Sequence, residues 1–165
     1  MSAAAAGKLH KIYTLVFIRE GRQILLGKKK RGFGAGKWNG FGGKVDPGES
    51  IEQAAHRELQ EEAKITCSDL RKSGILLFDF EGNPVIMEVH VFQSSKFQGE
   101  PQETEEMFPR WFPEEQVPYS EMWLDDQYWW PYLLRQETFE AYFRYRGYDT
   151  ILSYDIASVQ TPPSG

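Results

Sequence analysis

The stretch from Gly43 to Ile65 reads GKVDPGESIEQAAHRELQEEAKI. A glycine-containing turn leads into a segment with the residues of a helix, in which Arg57 is followed by glutamates at positions 58, 61 and 62. Side chains three and four residues apart lie on one face of an α-helix. The spacing therefore predicts a loop and helix that direct three carboxylates, which hard divalent cations prefer as ligands, towards one point.

The phase of the predicted helix places these glutamates beside its apolar face. Each residue of an α-helix advances by about 100° around the axis. The apolar stripe then consists of Ile51, Ala54, Ala55 and Leu59, and the same sector holds Glu58, Glu61 and Glu62. Carboxylates at an apolar edge repel each other unless a cation neutralises them, so the pattern favours a bound magnesium ion (Mg2+) over the alternative of a solvated acidic face.

The order of these residues resembles the Nudix box, G-x5-E-x7-R-E-U-x-E-E-x-G-U, where U is a bulky apolar residue. The matching positions are Gly43, Glu49, Arg57, Glu58, Leu59, Glu61, Glu62 and Ile65. Lys64 stands where the family has glycine. That glycine would end the helix in the left-handed conformation, so we expect lysine there to cost about 1 kcal/mol. On this resemblance the chain is identified as similar to the Nudix hydrolases.

Length and patterning predict a single α/β domain. The chain has 165 residues with 41% hydrophobic and 15% aromatic content, which suits one folded unit. Apolar alternation and turn residues predict strands at 12–18, 23–28, 75–80, 85–92, 107–112 and 141–146. Helices are predicted at 50–63 and 126–136, the second capped by Asp125 or Asp126. The resemblance implies a Nudix α/β/α sandwich with a mixed central sheet over residues 8–156, with flexible tails at 1–7 and 157–165.

Charge and cysteine content restrict the partners. A formal net charge of -5 argues against stable nucleic-acid binding, whereas a small anionic substrate needs only local positive charge. The run from Lys28 to Arg31 supplies such charge, with a solvated turn as the alternative. Cys67 is the single cysteine, and no apolar run is long enough to cross a membrane. We expect a cytoplasmic monomer, with delivery to the mitochondrial or nuclear nucleotide pool left open.

Other phosphate-binding and nucleophile motifs do not fit the sequence. A P-loop that ends at Gly36 and Lys37 would need glycine at position 31 and serine or threonine at position 38, which hold Arg31 and Trp38. There is no G-x-S-x-G nucleophile motif, and Cys67 is expected to be a packing residue. Hydrolysis assisted by a metal is therefore the favoured chemistry.

The resemblance also implies the roles of individual residues. In Nudix enzymes the metal would be held by Glu58, Glu61, Glu62 and the carbonyl of Gly42. Arg57 and Glu49 would form an ion pair that braces the loop against the helix. Glu106 lies in an acidic run and would add a carboxylate from a facing loop, with a solvated loop as the alternative. The carboxylate that takes the proton from the attacking water stays undecided among this coupled group.

A second segment, MWLDDQYWW at 122–130, points to recognition of a purine base. Aromatic faces stack on planar heterocycles, and carboxylates accept hydrogen bonds from ring N–H and amino groups. Adjacent aspartates near one base share charge poorly, so one of Asp125 and Asp126 is expected to have a raised pKa and to donate while the other accepts. From composition alone, tryptophans in the core and aspartates that only cap a helix are the favoured interpretation.

Resemblance favours the base-binding interpretation. The pattern W-x-D-D-x-x-W from Trp123, with NGFGGK from Asn39, FDF from Phe78, Met87 and GYDTIL from 147, resembles the Nudix enzymes that hydrolyse oxidised purine nucleoside triphosphates. It implies that Asn39, Asp125 and Asp126 bind the base edge, and that Thr14 and Lys29 lie near the sugar and phosphates. The pocket walls would be Phe78, Phe80, Met87, Trp123 and Trp129. The remaining residues expected at the substrate are Phe41, Gly42, Gly43, Lys44 and Leu124.

The resemblance therefore implies hydrolysis of 8-oxo-dGTP, 2-hydroxy-dATP, 8-oxo-dATP or O6-methyl-dGTP to the monophosphate and pyrophosphate. The sequence does not rank these substrates, because single oxo and methyl groups are discriminated by pocket shape. One alternative is a Nudix hydrolase for a dinucleoside polyphosphate, a nucleotide sugar or a capped RNA end. Another is a binding module without catalysis, although such a module typically lacks one or more box carboxylates and all are present here.

Overall fold

The computed structural model describes residues 7–160, which form ten β-strands and two α-helices. The strands are β1 Leu9–Glu20, β2 Gln23–Lys29, β3 Trp38–Asn39, β4 Thr66–Cys67, β5 Arg71–Phe80, β6 Val85–Ser94, β7 Phe97–Gln98, β8 Met107–Pro113, β9 Phe139–Arg146 and β10 Thr150–Ser158. The helices are α1 Ile51–Ala63 and α2 Asp126–Leu134, with short 3-10 turns at Glu114–Gln116 and Tyr119–Glu121. Within this range neither helix has the length and apolar character needed to span a bilayer.

A mixed sheet forms the centre of the fold. Its strand order across residues 7–160 is β10-β9-β5-β6-β1-β2-β3, with β8 also paired to β2, and β4 and β7 form a separate small ribbon. The pairs β1 with β6 and β5 with β9 are parallel, whereas the remaining pairs are antiparallel. The predicted α/β fold with a mixed central sheet is confirmed.

The two helices cover opposite faces of the sheet. Successive side chains of a strand point to opposite faces. Val16 of β1 packs in the apolar cluster that contains Leu59 of α1. Its neighbour Phe17 packs against Trp129 and Trp130 of α2, with ring centroids 5.9 and 4.9 Å apart. This alternation gives the layered sandwich that the resemblance implied.

A gap between β1 and β2 admits the glycine-rich segment 39–44. The two strands pair only from Ile18 and Leu25 to their hairpin, and β2 then pairs with β3. The backbone N–H of Val16 donates to the carbonyl of Phe41 at 2.7 Å, and that of Thr14 donates to the carbonyl of Gly43 at 2.9 Å. Segment 39–44 therefore runs alongside β1 and leads directly into the loop before α1.

The structure corrects several predicted boundaries. Strand β10 was not predicted, and it includes residues 157 and 158, which the sequence placed in a flexible tail. The rest of that tail from 161 and residues 1–6 lie outside the described residues. Helix α2 ends at Leu134 and not at 136, because Gln136 takes a left-handed conformation with φ 59°. In the described chain the Asp125 side chain does not cap α2, since its oxygens bind other partners.

Lys64 ends helix α1 in the conformation expected of the missing glycine. Its φ and ψ are 62° and 31°, and its backbone N–H donates to the carbonyl of Gln60 at 3.0 Å. The left-handed conformation crowds the Cβ of an L-residue against the following carbonyl. Helix α1 therefore ends in the left-handed conformation expected of the glycine of the Nudix box, although lysine occupies that position.

Replacing Lys64 with glycine is expected to raise the free energy of unfolding by about 1 kcal/mol, because glycine adopts this conformation without the steric cost of a Cβ. Urea unfolding followed by circular dichroism measures the change. Lys64→Ala is the matched control, since it removes the same side chain but keeps a Cβ. Equal stabilisation by both variants would contradict the explanation.

Candidate active site

The loop before α1 is fastened to the helix at several points. Ser50 and Gln53 form a reciprocal capping box that starts the helix. The Arg57 guanidinium donates to both carboxylate oxygens of Glu49 at 2.6 and 2.9 Å, and to the carbonyl of Lys44 at 3.2 Å. The hydrogen bond from Arg57 lowers the pKa of Glu49 to about 2, with help from the backbone N–H of Asp46. The predicted ion pair between Arg57 and Glu49 is present in this arrangement.

The three glutamates after Arg57 occupy different environments. Glu62 is only 4% exposed, and its Oε1 accepts a hydrogen bond from the Gly42 N–H at 2.9 Å. Glu58 is largely buried and accepts from Arg57 Nη1 at 2.9 Å. Glu61 is exposed to solvent, with an oxygen 3.3 Å from the same nitrogen.

The prediction that these carboxylates share the buried sector is therefore wrong for Glu61. The buried stripe of α1 is centred towards Leu59 and Ala63, whereas Glu61 lies about 80° from Ile51 on the other flank. Across residues 7–160 no three histidine, cysteine, aspartate or glutamate side chains are arranged to hold a metal ion. Arg57 draws Glu58 and Glu61 to itself, while Glu62 turns towards Gly42.

Two adjacent glycines let the backbone approach these carboxylates. A Cβ added to Gly43 would lie 2.7 Å from Glu58 Oε1. A Cβ added to Gly42 would lie 1.8 Å from the Thr14 carbonyl oxygen, which no side chain can tolerate. Position 42 therefore requires glycine, and the Gly42 N–H reaches Glu62 as a result.

The electrostatics around Glu62 suit a divalent cation. Burial raises the pKa of Glu62 to about 8, and the negative charges of Glu58 and Glu106 add to the shift, whereas the Gly42 N–H and Lys29 oppose it. Burial also raises the pKa of Glu58, against the opposing effect of Arg57. Buried carboxylates that repel one another favour a bound cation, and oxygen donors of this kind match magnesium. The carboxylate oxygens therefore suit a divalent cation chemically, although across residues 7–160 they do not converge on one point in this structure.

Glu106 lies across from the helix, in the position expected of a facing loop. Its carboxylate accepts from Arg31 at 2.6 and 2.9 Å and lies 3.8 Å from Lys29 Nζ. The hydrogen bond and charge of Arg31 lower the pKa of Glu106. Thr104 anchors this loop by donating its hydroxyl to the carbonyl of Glu62 at 3.0 Å. Basic and acidic side chains therefore alternate at one edge of the carboxylate group.

A cavity of about 280 Å³ lies on the α2 face of the sheet, and Glu62 is among its lining residues. Asp125 and Asp126, which are each only 2% exposed, line the same cavity. The other walls are mainly apolar, and a planar heterocycle fits such a slot. The lining residues predicted from the sequence are Thr14, Lys29, Asn39, Gly42, Gly43, Glu62, Phe78, Phe80, Met87, Trp123, Asp125, Asp126 and Trp129.

The chain is similar to known proteins of one family. A family profile described as the NUDIX domain matches residues 9–133. The chain belongs to the Nudix family. A curated protein from Mus musculus, called oxidized purine nucleoside triphosphate hydrolase, is 48% identical over 151 residues, which is 92% of this chain and 97% of that protein. A protein of the same name from Danio rerio is 48% identical over 150 residues, or 91% and 96% of the two chains.

The Nudix fold is also similar to that of a solved structure. The crystal structure of the MutT mutator protein from Bacillus halodurans matches with a TM-score of 0.79 at 26% identity, covering 88% of this chain and 97% of that chain. The mixed sheet with its two helices is therefore the Nudix fold.

Three residues predicted at the substrate lie elsewhere in this Nudix fold. Phe41 is fully buried in the α1 core, because it pairs with Val16 and so points to the same face of the sheet. Lys44 is exposed, and its carbonyl binds Arg57. Leu124 is 38% exposed and does not line the cavity. Each of the three is adjacent in sequence to a residue that does line the cavity.

Several cavity residues of the Nudix fold were missed. They are Tyr13, Leu15, Phe33, Gly34, Lys37, Gly40, Leu76, Val89, Met107 and Tyr145. Phe33 is half exposed at the rim, where it stacks on Trp123 at 5.1 Å and meets Tyr148 edge-on at 5.3 Å. Lys37 Nζ lies 5.2 Å from the Trp123 ring. The sequence signal for Phe33 is that it is a lone aromatic residue between the glycines of RGFGAG.

Proposed function

We propose that this Nudix enzyme hydrolyses oxidised purine nucleoside triphosphates to the monophosphate and pyrophosphate. The observation that carries the proposal is a single cavity lined both by the box carboxylate Glu62 and by the buried pair Asp125 and Asp126. The similarity to the proteins of that name from Mus musculus and Danio rerio, over more than nine tenths of the chain, supports the same substrate class.

The part of the cavity lining that holds the aspartates suits a purine whose hydrogen-bonding edge has been altered. Phe78, Phe80 and Met87 form apolar walls on which a base stacks. Oxidation at C8 of a purine converts N7 from an acceptor into an N–H donor, so acceptors of the cavity gain a partner that the normal base does not offer, while the carboxyl pair contacts N1 and the group at C6. Asn39 lines the same cavity, and its Oδ1 accepts from the Gly40 N–H at 2.8 Å, which fixes the direction of the amide.

The part of the cavity lining around Glu62 suits the triphosphate. Lys29 lines the cavity close to Glu62 and Glu106, so its ammonium group offers positive charge to phosphate oxygens. Thr14 lies beside Gly43, and its buried hydroxyl has no protein partner among residues 7–160. We assign Lys29 to the phosphates and Thr14 to the sugar or phosphates.

Nudix hydrolases generally use a divalent metal, and we propose magnesium held by Glu58, Glu61, Glu62, the Gly42 carbonyl and Glu106. Bound magnesium would screen the phosphate charge and acidify the attacking water. Arg57 keeps Glu58 and Glu61 in place through its contact with Glu49, and the Gly42 N–H orients Glu62. The carboxylate group as a whole accepts the proton that the attacking water releases.

A turnover panel tests the proposed substrate class. We expect kcat/KM for 8-oxo-dGTP, 8-oxo-dATP or 2-hydroxy-dATP to exceed that for dGTP and dATP by about tenfold or more, since the pocket would lose hydrogen bonds with the normal bases. O6-methyl-dGTP belongs in the same panel. Preference for a dinucleoside polyphosphate, a nucleotide sugar or a capped RNA would replace the proposal with the alternative Nudix activity.

We also propose the domain extent, oligomeric state, cellular compartment and lack of stable nucleic-acid binding that the sequence predicts. Residues 8–156 would act as one Nudix unit, since one large sheet spans Leu9 to Ser158 and apolar clusters pack on both of its faces. A monomer in the cytoplasm, without stable nucleic-acid binding, is tested by light scattering, cell fractionation and a gel-shift assay. A dimer, a location outside the cytoplasm, mitochondria and nucleus, or a shifted band would each contradict the corresponding expectation.

A further inference from the structure

The two buried aspartates differ sharply in their hydrogen-bond partners. The Tyr145 hydroxyl donates to Asp125 Oδ1 at 2.6 Å, and the Trp129 indole N–H donates to Asp125 Oδ2 at 2.8 Å. The Asp125 backbone N–H in turn donates to the Tyr145 oxygen at 3.1 Å. Both oxygens of Asp125 thus have donors, whereas Asp126 Oδ2 is buried without a protein partner anywhere in residues 7–160.

This difference in hydrogen-bond partners determines which of the two aspartates is ionised. Two adjacent carboxylates, each 2% exposed, cannot both ionise at ordinary cost, so they share one proton. Donors stabilise the charged form of a carboxylate, which makes Asp125 the anion and Asp126 the acid. Burial and the charge of Asp125 raise the pKa of Asp126 well above its ordinary value, while Tyr145 and Trp129 oppose the effect of burial on the pKa of Asp125.

We propose that Tyr145 is a positioning residue that decides which of the two aspartates carries the shared proton. Its hydroxyl thereby fixes the order of donor and acceptor that the cavity presents to a purine. The consequence for substrates rests on the proposed function, whereas the position of the proton does not.

The other charged and titratable groups around Asp126 leave this role to Tyr145. Lys37, from the loop between β2 and β3, lowers the pKa of Asp126 by its positive charge but does not reverse the shift. Tyr119, from the turn before α2, is a neutral phenol whose pKa is raised mainly by burial. Burial and the charge of Asp125 raise the pKa of Tyr145, so its hydroxyl keeps the proton that it donates.

A fixed donor beside a fixed acceptor discriminates between purine edges. An 8-oxoguanine presents the O6 acceptor beside the N1–H donor, whereas an 8-oxoadenine presents an amino donor beside the N1 acceptor. These two orders are opposite, although the oxidised five-membered ring is the same. With the proton held on Asp126, the cavity matches one order better than the other, and releasing the proton to either aspartate removes that preference.

Tyr145→Phe removes only the hydroxyl, and Tyr142→Phe is its matched control. Tyr142 lies in the same strand β9 and donates to the buried carboxylate of Asp79 at 2.5 Å, on the opposite face of the sheet. Carbon-13 NMR of labelled aspartate carboxyls follows each titration in the free protein, with Asp126→Asn assigning the pair. We expect Asp125 of the wild type to lose its proton at lower pH than Asp126.

In Tyr145→Phe the Asp125 titration is expected to move up by about one to two pH units, and in Tyr142→Phe it is expected to stay unchanged. The ratio of kcat/KM for 8-oxo-dGTP and 8-oxo-dATP is expected to move towards unity by up to about tenfold in Tyr145→Phe alone. If Asp126 ionises first in the wild type, or if Tyr145→Phe leaves the Asp125 titration unchanged, the inference is overturned. Absence of turnover with either nucleotide would overturn the proposed function while the titrations still decide the role of Tyr145.

Discussion

Replacing Glu62 with glutamine is expected to lower kcat by roughly 10²- to 10⁴-fold, the range found when a group that manages a proton in the reaction is removed. Glu62 is the buried box carboxylate that reaches the substrate cavity, and glutamine keeps its shape but not its charge. Steady-state turnover of 8-oxo-dGTP with magnesium measures the effect, and circular dichroism establishes that the variant is folded.

The matched control is Glu52→Gln on the same helix. Glu52 lies in the first turn of α1 and is largely exposed, and among residues 7–160 its one ion pair is with His56 at 4.0 Å, so its replacement is expected to leave kcat unchanged. Activity of Glu62→Gln within about threefold of the wild type would contradict the assigned role, because the removal of such a group costs at least about 10².

The same substitution has a predictable effect on stability in the absence of metal. Burial raises the pKa of Glu62 from 4.5 to about 8, so between these values the native state holds a proton that the unfolded state has released. The free energy of unfolding therefore falls as the pH rises through this window, and the full penalty is present above about pH 8. Glu62→Gln lacks this penalty, and we expect its stability relative to the wild type to increase from pH 5 to pH 9 in urea unfolding with a chelator.

Replacing Asp126 with alanine is expected to raise KM for 8-oxo-dGTP by about 10- to 100-fold with little change in kcat. The substitution leaves a polar group of the base unpaired in a buried site, which typically costs about 1 to 3 kcal/mol. The proposed chemistry takes place beside Glu62, in a different part of the cavity lining, and is not touched directly. Steady-state kinetics across a range of substrate concentrations separates the two parameters.

Asp126→Asn provides the comparison for this prediction. Because the structure favours the protonated form of Asp126, an asparagine that keeps a donor of similar shape should raise KM less than alanine does. A larger rise with asparagine would indicate that Asp126 acts as an anion. An unchanged KM in both variants would exclude Asp126 from base recognition.

The sequence predicted those parts of the fold that carry a strong local pattern. The first strand, predicted at 12–18, and the box helix, predicted at 50–63, have such patterns, and the structure contains them as Leu9–Glu20 and Ile51–Ala63. Strand β10 was not predicted because most of its side chains face water, so its sequence lacks an apolar period of two. It forms because β9 supplies backbone partners, and such pairing between strands is not encoded in the side chains of β10 alone.

The site shows the same limit. Spacing predicted the box carboxylates, but the exposure of Glu61 depends on which side of α1 the sheet covers. Phe41 was assigned to the substrate because its neighbours are, whereas its pairing with Val16 turns the ring into the α1 core. The alternation of β9 places Tyr145 on the cavity face, but its hydroxyl contact with Asp125 joins residues twenty positions apart and appears only in three dimensions.

The central claim is that one cavity binds the oxidised purine of a nucleotide and places the triphosphate of that nucleotide beside the Nudix carboxylates. The most direct test is phosphorus-31 NMR of the products formed from 8-oxo-dGTP and magnesium by the wild-type protein. The account predicts 8-oxo-dGMP and pyrophosphate as the products. Release of inorganic phosphate with 8-oxo-dGDP, or no hydrolysis of 8-oxo-dGTP by a folded protein, would contradict it.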